Sequence, residues 1–144
     1  MSHDERLPDP ARIVLARRIE WIDTDAAGIY HWTTAFRLAE AAEAALHTAL
    51  GIDEITFGAT PRVAVTASFI RPLRFNDPVD VELAVVAIGR TSLDYRFTIS
   101  AQDGQAAEGS VKACFIDTAT GSAVPWPDEV RERLAAGGPQ DAGR

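Results

Sequence analysis

With 144 residues, 47% hydrophobic and 24% charged, the chain is long enough for one domain with a core of its own. Its net charge of −7 argues against a nucleic-acid surface, which needs a basic face. No run approaches the roughly 18 apolar residues that span a membrane, residues 1–10 carry no apolar signal segment, and the single cysteine, Cys114, excludes an internal disulfide, so a cytoplasmic protein is expected.

Residues 1–10 and 137–144 are rich in Pro, Gly and polar side chains and are expected to fray. Between them an ordered core is expected over about residues 11–136 of one domain spanning 1–144. A first strand is predicted over 12–22. There follows Asp23-Thr24-Asp25-Ala26-Ala27-Gly28, then an alanine-rich helix predicted over 31–50. Phe36, Ala39, Glu43, Leu46 and Leu50 form one stripe at helical spacing, and Ala35, Leu38, Ala42, Ala45 and Ala49 a second. A helix apolar on two faces is mostly buried. Gly51 is its expected stop. After a loop over 52–61 the period changes to two, with strands predicted over 62–70, 79–88, 91–101 and 106–117. The third alternates cleanly, with Leu93, Tyr95, Phe97 and Ile99 on one face and Asp94, Arg96 and Thr98 on the other. Asn76-Asp77-Pro78, Gly89-Arg90 and Asp103-Gly104 mark turns. A short helix over 128–135, opened by Pro127 or Asp128, closes the chain. This order predicts an α+β fold, an antiparallel sheet with one buried helix. In so short a chain the sheet is expected to curl around that helix, with dimerisation as a companion.

Asp23 and Asp25 stand at a strand-to-helix junction, beside the free N–H groups and positive end of a helix. Two readings are open. Asp favours helix starts, so the pair reads as capping. Equally, a carboxylate there can attack an acyl carbon or deprotonate water, while N–H groups of the first turn, near Tyr30 to Trp32, hold the oxyanion. Gly28 lets the backbone turn tightly toward the reacting group. A calcium loop does not fit, since Ala27 and Thr34 stand where that loop needs oxygen ligands and a glutamate. A phosphatase-type reading weakens too, with Ala27 in place of a threonine and no β/α alternation following.

Ile19-Glu20-Trp21-Ile22-Asp23-Thr24-Asp25-Ala26-Ala27-Gly28-Ile29 resembles the signature of the 4-hydroxybenzoyl-CoA thioesterase family of hotdog-fold proteins, an aromatic-containing strand followed by D-x-D-x-x-G-(I/V) and the central helix. A second block, Thr60 through Phe69 and on to Asp77-Pro78-Val79, resembles that family's next strand and turn. The resemblance covers roughly residues 12–118. It implies a hotdog fold, with the sheet wrapped around one long helix, and hydrolysis of acyl-CoA or sometimes acyl carrier protein thioesters. No cofactor is implied beyond the coenzyme A of the substrate, and no metal. It implies a homodimer or homotetramer with the active site at a subunit interface. The catalytic aspartate maps to Asp25, and the oxyanion-binding backbone to His31 and Trp32. The chain departs from the family at Trp32, where one branch has a histidine, and at Thr34-Ala35, which replace an Asn-Tyr pair.

Of the remaining residues, Asp23 reads as structural. Glu40 and Glu43 are alternative bases, since another hotdog branch uses a helix glutamate, or else a core carboxylate or ion pair. Substrate contacts are expected at Gly28 and Tyr30, and at Arg71 and Arg74 toward CoA phosphates; Arg62 completes the local basic residues. The bland alternative for the arginines is a solvated sheet edge. Trp21 and Trp32 read as acyl-pocket or core aromatics, Cys114 as a small buried residue, and His3 and His47 as incidental. Beside thioester hydrolysis, a hotdog dehydratase or hydratase and a non-catalytic acyl-CoA-binding domain fit the same residues.

Overall fold

A computed structural model describes residues 6–142. The chain runs β1 (Arg12–Arg18), a single 3-10 turn (Trp21–Asp23), α1 (Thr33–Leu50), α2 (Asp53–Thr56), β2 (Arg62–Phe69), β3 (Pro78–Ile88), β4 (Ser92–Ala101), β5 (Gly104–Cys114), α3 (Asp128–Ala136) and β6 (Pro139–Gln140). The sheet order is β2-β5-β4-β3-β1-β6. Every pairing is antiparallel except that of β1 with β6. The expected α+β architecture is present, with α1 packed mainly on β3 and β1.

Period-two patterning places the core. Leu93, Tyr95, Phe97 and Ile99 of β4 are all buried, and meet Leu38, Ala42 and Leu46 of α1 in one cluster. Asp94, Arg96 and Thr98 fall on the other face, where Lys112 and Glu108 lie 3.8 and 4.0 Å from Asp94 and Arg96 respectively. Helix α1 stops at Gly51, which adopts φ +71°, a left-handed conformation in which a Cβ is disfavoured. The Asp103-Gly104 turn joins β4 to β5 as the sequence predicts.

Several boundaries differ from expectation, β5 among them, which runs over 104–114 rather than 106–117. β1 ends at Arg18 rather than at residue 22, because the Asp23 carboxylate takes the Glu20 N–H at 2.8 Å and Asp23 N–H returns to the Glu20 carbonyl at 2.9 Å. This reciprocal cap diverts the chain from the sheet. The loop over 52–61 contains α2, and α1 begins at Thr33, two residues later than predicted. The expected frayed ends are tied in part: β6 lies beside β1, with Arg12 opposite Pro139, and Asp9 exchanges backbone bonds with Ala135 and Gly138. Residues 1–5, including His3, and 143–144 lie outside the described residues.

Strand β2 stands at one end of the sheet. One of its edges pairs with β5 and the other is open. Val63, Val65 and Phe69 on it, and Ile70 just beyond, are each about half exposed.

Candidate active site

The two aspartates take different environments. Asp23 is 3% exposed. Its Oδ1 accepts from Arg37 Nε at 3.0 Å, and both its oxygens accept from the Arg37 NH2 group at 2.7 Å. Its carbonyl accepts the His31 N–H and the Thr34 hydroxyl, the latter at 3.1 Å. Asp23 therefore ties the end of β1 to the start of α1, the structural role expected of it.

Asp25 is exposed. Its N–H donates to the Ile29 carbonyl at 2.8 Å, its carbonyl accepts from Gly28 at 3.0 Å, and its Oδ1 accepts the Ala27 N–H at 2.8 Å. This is an Asx turn closed by Gly28 at φ +81°. Among the described residues, Oδ2 has no partner. Short bridges of Thr24 with Tyr30 and of Ile29 with Arg74 fix the loop on both sides. Asp25 thereby faces a groove of about 500 Å³ that Tyr30, Trp32, Phe69, Ile70 and Arg71 also line.

The helix start separates the two expected oxyanion donors. The His31 N–H is taken by the Asp23 carbonyl, which removes it as a donor. Among the described residues the Trp32 N–H meets no acceptor, and it stands at the positive end of α1. The His31 ring turns back on the helix: Nδ1 lies 2.7 Å from Thr33 Oγ1 and accepts the Thr33 N–H at 3.2 Å. That is a capping arrangement. Trp32 is 59% exposed and meets Phe36 edge to face, which in turn meets Phe97. Trp21, expected in a pocket or the core, is 79% exposed against Phe75. Arg71 lines the groove with Asp103 at 3.4 Å, whereas Arg74 borders it through Ile29 and Gly28 shapes the turn without lining it. Cys114 is half-buried, its thiol 3.7 Å from the Phe115 carbonyl.

A second cluster was recognised only in part: Glu43 and Arg62 were named as candidates in the sequence, its histidine was not. His47, read as incidental, is 1% exposed. Thr56 donates its one hydroxyl proton to the Ile52 carbonyl, so at 2.6 Å from Thr56 Oγ1 the His47 Nδ1 must be the donor. Nε2 is then a bare acceptor for the Tyr95 hydroxyl at 2.5 Å. With that proton spent, Glu43 Oε2 is left without a partner although Glu43 is buried, while its Oε1 pairs with Arg62. Burial pushes the Glu43 carboxyl up, and Arg62 opposes this. Glu43 and Arg62 stand between a small inner cavity of about 80 Å³, walled by Phe36, Leu83 and Val111, and an outer groove of about 400 Å³ beside Phe57 and Pro61.

The neutral His47 sets an acid sensitivity. Burial, then the Arg62 charge, lower its pKa from 6.5 to about 4. Between those values the unfolded chain binds a proton that the folded chain refuses, so stability falls on acidification by on the order of 3 kcal/mol and levels off below. Glu43 has the opposite sign, since its raised folded pKa adds stability as pH falls. Urea titrations at pH 7 and 4.5 should show a smaller acid loss in His47→Gln than in the unaltered chain. An equal loss in both excludes His47 as the origin.

Comparisons with known proteins agree with this geometry. Residues 19–134 match the thioesterase-like superfamily. A 1,4-dihydroxy-2-naphthoyl-CoA hydrolase from Prochlorococcus marinus is 28% identical over 134 residues, covering 85% of this chain and 86% of that protein. The structure of a gentisyl-coenzyme A thioesterase superposes with a TM-score of 0.74 at 26% identity, covering 85% of this chain and 98% of the other. A 1,4-dihydroxy-2-naphthoyl-CoA thioesterase from Synechocystis shares the fold, with a TM-score of 0.77 at 17% identity over 85% and 95% of the two chains. The match is broader than the 4-hydroxybenzoyl-CoA family that the motif resembles. With a long helix against a curled, mostly antiparallel sheet and a superfamily match from Ile19 to Leu134, the chain belongs to the thioesterase-like superfamily and has the hotdog fold.

Proposed function

We propose that this chain is an acyl-CoA thioesterase, with Asp25 acting on the thioester carbonyl. The observation that carries the reading is one groove lined both by the exposed Asp25 and by Trp32, the residue whose N–H is uncommitted at the start of α1. Asp25 either takes a proton from water, whose oxygen then attacks the carbonyl carbon, or attacks that carbon itself and is freed by water. In both routes the carbonyl oxygen becomes an oxyanion against the Trp32 N–H, the C–S bond breaks, and the thiolate takes a proton to leave as free coenzyme A. Arg71 lines the groove and Arg74 is bridged to its lining residue Ile29, so phosphates of the coenzyme would meet Arg71 first. Both named relatives above 25% identity act, by name, on hydroxyaryl thioesters of coenzyme A, so aryl-CoA is the first class to test, 4-hydroxybenzoyl-CoA included, with acyl carrier protein thioesters beside it.

The open edge of β2 fits a second copy of this chain. It carries exposed Val63, Val65 and Phe69 and none of the lysines or prolines that blunt natural edges. Two-fold antiparallel pairing there keeps both α1 helices on one face of a continuous sheet. The strands then run oppositely, so the Phe69 end of one lies beside the Arg62 end of the other. The Asp25 groove of each copy would adjoin the Glu43 groove of its partner. Sedimentation that finds only monomer at working concentrations rules this arrangement out. A cytoplasmic location is part of the same proposal; among the described residues no helix is long and apolar enough to cross a membrane.

The deciding experiment is a colorimetric free-thiol assay over a panel of aryl-, short-chain and long-chain acyl-CoAs. Turnover on none of them, with tight binding of one, would replace this reading with that of an acyl-CoA-binding domain. One observation favours a second base: the buried, half-unpartnered Glu43, whose carboxyl pKa is raised by burial. Glu43→Gln therefore belongs in the same assay beside Asp25→Asn.

A further inference from the structure

We infer that the exposed indole of Trp32 is the surface on which the acyl group lies, and that it selects flat aryl groups over flexible aliphatic ones. This rests on the thioesterase reading above and deepens it, assigning the choice of acyl group to one side chain. Trp32 is 59% exposed, so its ring is open to a ligand. It is also braced. The indole meets Phe36 edge to face with centroids 6.2 Å apart, and Phe36 meets the buried Phe97 in the same way at 6.2 Å. The His31 ring lies 5.5 Å from the indole and is itself tied to Thr33. A wide apolar ring held in this way gives up little freedom when a ligand arrives.

Connectivity ties the indole to the reacting group. A thioester whose carbonyl oxygen accepts from the Trp32 N–H has its carbonyl carbon beside the backbone of residue 32. That residue's own side chain is then among the first groups the substrate meets. Two substituents leave the carbonyl carbon, the sulfur of the coenzyme and the acyl group. The groove that Trp32 shares with Asp25 also holds the cationic Arg71, which suits the phosphates of the coenzyme. Through Phe36 the indole is continuous with the small inner cavity whose walls include Phe36, Leu83 and Val111. The cationic side suits the coenzyme, and the apolar side the acyl group. An aryl ring set offset or edge-on against the indole gains the orientation-dependent attraction of an aromatic pair beyond the area it buries. An alkyl chain gains the area alone, and loses rotational freedom on being ordered. The preference for aryl groups follows from that difference.

Trp32→Leu is the test, since it removes the flat ring and keeps an apolar side chain and the backbone N–H. The quantity to read is the ratio of kcat/KM for benzoyl-CoA to that for hexanoyl-CoA, in which any disturbance of the shared N–H cancels. That ratio should fall roughly tenfold, the scale of one aromatic pair. Trp32→Phe, which keeps a ring, should lose less. Binding gives a reading that needs no turnover. The ketone analogue of benzoyl-CoA, with methylene in place of sulfur, should quench part of the tryptophan fluorescence of the unaltered chain, and that part should be missing in Trp32→Leu. An unchanged ratio overturns the inference, and so does quenching that survives in Trp32→Leu. An equal loss on both substrates with weaker self-association also overturns it, and gives the indole to the contact between two copies. If the ketone quenches through Trp32 and no acyl-CoA is turned over, the thioesterase reading fails and this inference stands. If thiol is released and Asp25→Asn is inactive, but the ratio does not move, this inference alone fails.

Discussion

Asp25→Asn should release thiol at least about 1,000-fold more slowly than the unaltered protein, within the range expected for removing a general base, while melting at the same temperature. The two halves of this expectation have separate causes. Asn retains a side-chain oxygen for the Ala27 N–H, so the turn that presents residue 25 survives. What disappears is the basic, nucleophilic oxygen, and nothing else in that groove replaces it. Among the other residues that line the groove none is a carboxylate or an imidazole. A variant that kept most of its thiol release would move the base to Glu43, and Glu43→Gln would then be the inactive protein.

Asp23→Ala should act in the opposite order, with stability lost first and rate as a consequence. The carboxylate is 2% exposed and receives the guanidinium of Arg37 and the N–H of Glu20. Removing it takes the acceptor from the Glu20 N–H and, among the described residues, leaves Arg37 with Glu20 alone, at 3.6 Å. Breaking a buried pair costs about 3–5 kcal/mol, and the half-exposed Arg37 places this case at the low end, about 3 kcal/mol. Chemical denaturation reads that loss directly. Turnover should fall as well, because the Asp23 carbonyl holds His31 and Thr34 and so fixes where the Trp32 N–H points. Asp23→Asn, which keeps an acceptor for Glu20, should lose less of both. A stable, fully active Asp23→Ala would show that the helix start is positioned by other contacts.

Much of the fold was legible because its signals are local. The alternation from Leu93 to Ile99, the glycine at position 51 and the Asp103-Gly104 turn each act within a few residues, and each appears where expected. The end of β1 was not legible. Ile19 to Ile22 reads as strand, and only the carboxylate of Asp23 folding back on Glu20 stops it. The His47 network was hidden for a different reason. A histidine on a helix looks polar until Tyr95, 48 positions away, closes over it. At the site, the residue types around Asp25 were readable, and so was the difference between the buried, paired Asp23 and the exposed Asp25. That the His31 N–H is consumed while the Trp32 N–H is free depends on one carbonyl's direction, which no pattern of side chains encodes.

The open edge of β2 carries a liability that comes before any chemistry. Val63-Ala64-Val65-Thr66-Ala67-Ser68-Phe69 is a seven-residue run without charge, proline or glycine, at the end of a sheet. Such a segment templates growth of cross-β aggregates as readily as it meets its own twin. If the edge pairs with a second copy as proposed, that pairing also withdraws this segment from aggregation, so a variant that blocks pairing, such as Val65→Lys, should change solubility as well as assembly.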